Sequence, residues 1–150
     1  MDPMIEGVLL TELKIIPGES GAVMHGLKVQ EPSFKNFGEA YFSFISMGKI
    51  KGWKRHSKMT LNLIVPVGKI RFVLYDDRDN SRTKGSFNDF CIGPEIQYSR
   101  LTIPPGIWMA FQGIGNEKNL LLNIADIPHD PSEAEQLQIE NSRIPNFKWQ

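Results

Sequence analysis

TLNLIVPVGKIRFVLYDD, residues 60–77, decides the fold. Two runs rich in β-branched and aromatic residues flank the turn signal VPVGK, residues 65–69. Side chains alternate along a strand, so Leu61, Leu63 and Val65 share one face of the first run, and Ile70, Phe72 and Leu74 share one face of the second. The reading is an antiparallel strand pair that buries these six residues in a core.

The same pattern repeats outward. AYFSFIS (40–46), YSRLTI (98–103) and NLLLNIA (119–125) also read as strands. DDRDNSRTKG (76–85), GPE (93–95) and PPG (104–106) read as turns between them. No interior segment shows sustained helical spacing. DPSEAEQLQIE (130–140) carries helix formers behind a possible Asp130 cap and Pro131, which predicts one short C-terminal helix. Many short strands at regular intervals favour a closed β architecture without exposed edges. The expectation is an all-β chain forming one domain over residues 1–150, a jelly-roll β-barrel with a small-ligand cavity at its mouth.

Composition narrows the function. The 17 Lys and Arg balance the 17 Asp and Glu, which argues against binding nucleic acid or a membrane surface through bulk charge. Any anion must be recognised locally. Cys91 is the single cysteine, so no internal disulfide forms, in keeping with a reducing compartment. The opening MDPMIEGVLLTELKIIPG has acids where a signal peptide needs bases. No apolar run approaches the roughly 18 residues of a membrane span. A soluble, cytoplasmic protein is expected.

The residues with chemistry concentrate in MGKIKGWKRH, 47–56, which reads as a strand entered through Gly48. Strict alternation puts Lys51, Trp53 and Arg55 on one face and Gly52, Lys54 and His56 on the other. An ammonium near an imidazole disfavours the charged ring, and a neutral imidazole is the form that accepts a proton. The stretch is therefore either a solvated basic strand or the floor of a site for an anionic substrate. In VLYDDRDNSRTKG (73–85), Arg78 either pairs with an aspartate to fix the loop or, with Arg71, holds a phosphate. Trp108, just after the PPG corner, is either core or a platform for a ligand. His25 and His129 sit in loop-like surroundings.

Taken in order, GxxKGWxxH, VPxGxIxxVLYDDRxxSxTxG, IPPGxW, NxAxxPHDPxE and IPxxxW make the chain resemble the dTDP-4-dehydrorhamnose 3,5-epimerase family, in particular its epimerase-like branch. The resemblance runs from FGEAYFS (37–43) to IPNFKW (144–149). It implies a cupin barrel, a homodimer, no metal or other cofactor, and a nucleoside-diphosphate sugar as ligand in surface-polysaccharide synthesis. GVLLTEL (7–13) and GLKVQE (26–31) are then candidate strands for pairing with the partner subunit.

The departures from the family are as informative. On the strand where the epimerases read Arg-Gly-Leu-His-Tyr-Gln, Lys51 stands for the arginine and Lys54 for the histidine base. Met109 stands for the second histidine, Asn141 is the nearest equivalent of the aspartate that orients the base, and Leu122 stands for the tyrosine acid. The chain is also similar to the sugar 3,4-ketoisomerases, whose strand reads Arg-Gly-x-His-x-His. His56 matches their second histidine, and Lys54 in place of the first argues against a metal.

The chemistry of a 4-keto sugar needs a base near a carbon beside the carbonyl and an acid for the oxygen or the opposite ring face. Candidate catalytic residues are His56 as base, Tyr41 as acid with Tyr75 as alternative, and Lys54 as holder of a developing oxyanion. Candidate substrate-binding residues are Lys51, Arg71, Tyr75, Arg78 and Trp108. Two readings stay open: an epimerase or isomerase, and a catalytically inactive cupin that binds a sugar nucleotide or serves as a partner subunit.

Overall fold

The structure is a computed structural model and describes residues 2–149. One five-stranded antiparallel sheet has the order β1 (Leu9–Glu12), β9 (Ser99–Ile103), β6 (Leu61–Val67), β11 (Asn119–Ala125), β4 (Glu39–Ile45). A second has the order β12 (Ala134–Gln136), β5 (Ile50–His56), β10 (Ile107–Gly113), β7 (Ile70–Asp76), β8 (Phe87–Ile92). A short hairpin, β2 (Ile15–Ile16) and β3 (Val23–Met24), precedes them. The two large sheets face each other as a cupin-type jelly roll. No helix among the described residues is long and apolar enough to cross a membrane.

The predicted core is the observed one. Leu61, Leu63, Val65, Ile70, Phe72 and Leu74 are all buried, in one cluster with Ile92, Leu101, Ile103, Met109 and Leu121. Gly68 makes the turn between β6 and β7 at φ +85°, and a Cβ there would meet the Lys118 carbonyl and Asn119 at under 3 Å. Asn119 accepts from the Lys69 amide at 2.9 Å and ties this turn to the start of β11.

Each sheet is also covered on its outer side. Residues 25–34 lie over the middle of the first sheet: Asn62 donates to the Ser33 carbonyl at 2.9 Å, and the fully buried Arg100 donates to Glu31 at 2.7 Å and to Ser33 at 2.8 Å. GLKVQE belongs to this cover and forms no strand, while β1 from GVLLTEL pairs with β9 of its own chain. Residues 137–149 lie over the second sheet. Leu137, Ile139, Ile144, Phe147 and Trp149 pack there on Trp53, Val73, Tyr75, Trp108 and Ala110. This second core explains why β7 is apolar on both faces.

The C-terminal helix expected over 130–140 is instead a single 3₁₀ turn, Pro131–Glu133, followed by β12. Its start is as predicted: the Asp130 side chain accepts from the Ser132 amide at 3.0 Å, and Pro131 occupies the first turn. The helix does not continue because the edge of β5 offers the next residues a strand to pair with, Ala134 against His56 and Gln136 against Lys54. Sheet pairing outweighs a weak helical propensity.

Candidate active site

A cavity of about 280 Å³ opens between the two sheets where their edges β4 and β12 come together. Leu61, Leu63, Met109, Phe111 and Leu121 give it an apolar inner wall. Tyr41, Ser43, Lys51, Lys54, His56, Asn123 and Gln136 supply its polar groups. A larger, more open hollow at the far end of the barrel is lined by the end of β6 at Pro66 and by loop residues such as Lys69, Glu95 and Lys118, and no histidine or tyrosine borders it.

A bulge in β5 changes which side chains reach the cavity. Met109 pairs with Lys54 and Phe111 with Lys51, so three residues' span on β5 answers two on β10. Alternation is broken there, and Lys51 turns to the cavity rather than joining Trp53 and Arg55 on the outer face. Its ammonium donates to the Phe44 carbonyl at 3.1 Å and sits 5.9 Å from the Phe111 ring. Gly52 borders the cavity with its backbone only. A Cβ on Gly52 would point the other way, 1.8 Å from the Ile139 methyl of the C-terminal cover.

His56 is held by a carboxylate that the sequence reading did not single out. Its Nδ1 is hydrogen-bonded to Glu133 Oε1, and the two side chains are 11% and 3% exposed. The other carboxylate oxygen accepts from the amides of Lys58 at 3.1 Å and Met59 at 3.2 Å. The Ser57 amide and hydroxyl both donate to the Glu133 carbonyl, at 2.8 and 3.0 Å. Burial pushes the Glu133 carboxyl up, but the His56 bond and the two amides outweigh it and hold it below the ordinary glutamate value. An ionised carboxylate only accepts, so Nδ1 carries a proton, and in the neutral ring Nε2 is then the nitrogen with the lone pair.

Asn141, expected as the equivalent of the base's orienting aspartate, is instead a half-buried residue of the C-terminal cover that holds its own loop. It donates to the Gln138 carbonyl at 2.8 Å and accepts from the amides of Arg143 and Ile144 at 2.9 and 2.8 Å. The carboxylate bonded to the imidazole comes from the 3₁₀ turn. Leu122 faces outward on β11, and its inward neighbour Asn123 is the β11 side chain at the cavity's polar end. Asn123 Nδ2 donates to the Tyr41 hydroxyl at 3.0 Å, directly across from it on β4.

The structure brings Tyr41, Lys51, Lys54 and His56 to one cavity; Arg71, Tyr75, Arg78 and Trp108 do not line it. Arg71 lies on the outer face of β7, bidentate to Asp89 at 2.9 and 2.7 Å and stacked near Phe147 and Trp149. Tyr75 packs on Phe87 with ring centroids 4.6 Å apart, also on the outer face. Trp108 is buried under the C-terminal cover, donates to Asp77 at 3.2 Å, and stacks against Arg55 at 4.6 Å. Arg78 closes its own loop on the buried Asp76, at 2.9 and 3.0 Å, and also donates to the Glu6 carbonyl at 2.7 Å. Burial pushes the Asp76 carboxyl up, yet bonds from Arg78, Ser81 and Thr83 hold it well below the usual carboxylate range. Arg78 thus makes the ion pair of the two alternatives.

The cavity wall offers one imidazole, and its carboxylate partner is already occupied by two amides. No group of three His, Cys, Asp or Glu side chains among the described residues is placed to hold a metal ion.

No family model matches the chain. A dTDP sugar isomerase from Desulfovibrio desulfuricans G20 superposes with a TM-score of 0.92 and is 42% identical, over 95% of this chain and 91% of that one. A probable low-salt glycan biosynthesis epimerase, Agl13, of Haloferax volcanii is 29% identical over 139 residues, 91% of this chain and 88% of the relative. A dTDP-6-deoxy-D-glucose-3,5-epimerase from Legionella pneumophila, solved in complex with dTDP-4-keto-L-rhamnose, shares the fold at a TM-score of 0.79 and 18% identity, over 91% of this chain and 76% of that one. Fold and relatives mark the chain as a cupin-type isomerase or epimerase. The chain belongs to the family of the Desulfovibrio dTDP sugar isomerase.

Proposed function

We propose that the protein inverts or shifts a centre beside the carbonyl of a nucleoside-diphosphate 4-keto sugar. His56 Nε2 takes the proton from the carbon next to the carbonyl. The electron pair of that C–H bond moves to the carbonyl oxygen, giving an enolate that the Lys54 ammonium stabilises. The Tyr41 hydroxyl returns a proton, and the carbonyl reforms. Glu133 keeps the imidazole in the tautomer that accepts at Nε2 and stabilises the imidazolium once formed. Among the described residues Lys54 makes no side-chain hydrogen bond or ion pair, so its charge is available to a ligand. Lys51 is proposed to bind the substrate at the same wall.

The observation that carries this reading is the buried Glu133–His56 pair on the wall of a cavity that Tyr41 also lines. It favours the catalytic alternative over the inactive one, since a buried carboxylate that holds an imidazole by Nδ1 and leaves Nε2 toward the cavity is the arrangement a general base needs. The cavity matches a sugar ring and is too small for a whole sugar nucleotide, so the nucleotide extends outward past its mouth. Surface-polysaccharide synthesis is supported by the glycan role in the Haloferax relative's name. A homodimer is proposed on the exposed apolar face of β4, and a cytoplasmic setting on the lone free Cys91.

The test is incubation with nucleoside-diphosphate 4-keto sugars in deuterated water. Deuterium enters a carbon beside the carbonyl with wild-type protein. His56→Ala slows this on the order of 10²–10⁴-fold while nucleotide binding persists. Exchange at the same rate in His56→Ala would remove His56 as the base, and no exchange with any such sugar would overturn the reaction class.

A further inference from the structure

Asn123 does something that base, acid and cation do not account for. It is buried on β11, at the cavity wall, directly opposite Tyr41 in the β4–β11 register. Its Nδ2 donates to the Tyr41 hydroxyl at 3.0 Å. Tyr41 is otherwise a half-exposed side chain on an edge strand, and its oxygen makes no other hydrogen bond among the described residues. A phenol oxygen that accepts one hydrogen bond from the wall must turn its own O–H elsewhere. Both side chains line the cavity, so that O–H is left for whatever occupies it.

We propose that Asn123 is a positioning residue that makes Tyr41 the proton donor of this site. The inference rests on the reaction proposed above and adds what selects the direction of proton transfer at Tyr41. In the donating step the Tyr41 O–H bond breaks and a C–H bond forms on the enolate carbon, while the enolate electrons restore the carbonyl. The phenolate left behind keeps the Asn123 N–H bond, now charge-assisted and stronger. Water then reprotonates Tyr41. Without Asn123 the hydroxyl can rotate to solvent on its exposed side, and the phenolate loses its one fixed donor.

Proton removal and proton return can be read separately, as deuterium uptake into unreacted substrate and as inversion. His56 and Glu133 act in the first, Tyr41 in the second. Asn123→Leu, close in shape but without the amide, slows inversion about 10²-fold, the scale of a general acid's contribution, and slows deuterium uptake far less. In a Tyr41→Phe background the same substitution costs nothing further, because it acts only through the hydroxyl. Equal losses of uptake and inversion in Asn123→Leu, or losses that multiply in the double variant, would overturn the proposal. So would inversion at the wild-type rate. A substrate-free reading separates this from failure of the reaction itself. The Asn123 side-chain amide signals in a ¹H–¹⁵N spectrum shift in Tyr41→Phe and not in Arg82→Ala, which lies on an exposed loop. Unmoved signals mean that the bond is not made and sink the role of Asn123. Shifted signals with no turnover of any sugar sink the proposed reaction instead, and with it this role.

Discussion

Glu133 carries more of the site than any residue the sequence reading named. One carboxylate satisfies His56 on one oxygen and two backbone amides on the other, so it fixes both the imidazole and the chain leaving β5. Its weight can be measured. In Glu133→Gln the amide still reaches the imidazole, but it no longer compensates the imidazolium and no longer demands the Nδ1–H tautomer. The expected loss in deuterium uptake is on the order of 10²–10⁴-fold, with little change in nucleotide-sugar affinity. A loss confined to affinity would show that Glu133 serves binding and not proton transfer. Glu133 closes the motif NxAxxPHDPxE, but its place beside His56 was illegible because a glutamate three residues after a capping aspartate in DPSEAEQLQIE reads as helix chemistry. Only the pairing of β12 with β5, far apart in sequence, brings it to His56. His56 itself was legible, being the one histidine on a strand. Tyr75 lies away from the cavity on grounds the sequence already holds: if Leu74 faces the core, its neighbour on the strand faces away.

At the scale of elements, alternation read the straight strands correctly and failed at the bulge. Residues 61–65 and 70–74 obey it, and their inward sets are the core. In β5 one extra residue between Lys51 and Lys54 sends Lys51 to the cavity and turns Gly52 and Trp53 together toward the C-terminal cover. Bulges follow from how two strands match, so a single strand's pattern does not announce them. Gly52 is required by that cover. A Cβ on it would lie 1.8 Å from Ile139 Cδ1 and 2.6 Å from Cγ1, so Ile139 must leave its place among Trp53 and Ala110. Gly52→Ala is expected to cost about 1–3 kcal/mol, the usual range for overpacking. In an Ile139→Ala background the obstruction is gone, and the same change should cost well under half as much. Chemical denaturation of the four proteins measures the coupling; additive costs would mean that Gly52 is needed for its backbone and not for the room it leaves.

For the whole molecule, assembly turns on the two outer faces. The outer face of the β12–β8 sheet is closed by residues 137–149. The outer face of the β1–β4 sheet is closed only over its β6 and β9 part, by residues 25–34 around Arg100. Its β4 and β11 part stays bare: Phe42 is 64% and Phe44 60% exposed, and Leu120, Leu122 and Ile124 beside them are only half-buried. Aromatic residues in adjacent positions on the outside of an edge strand are what a free monomer avoids. A second copy that lays the same face against this one buries both sets at once, because an isologous contact is self-complementary. Stable contacts of this kind cover about 800 Å² on each partner, which β4 and β11 can supply only if their full lengths take part. The face also sits on the back of the strand whose inward side chains, Tyr41 and Ser43, line the cavity. Packing it would therefore stiffen the wall that carries the proposed acid. Light scattering at micromolar concentration is expected to give twice the 17.0 kDa of one chain. Phe44→Glu, which places a charge at the centre of the face and leaves the core untouched, should halve that mass and lower the inversion rate more than the deuterium-uptake rate. A wild-type mass of 17.0 kDa would leave the aromatic face without this partner. A dimer that survives Phe44→Glu would move the contact to the other edge of the sheet, at β1.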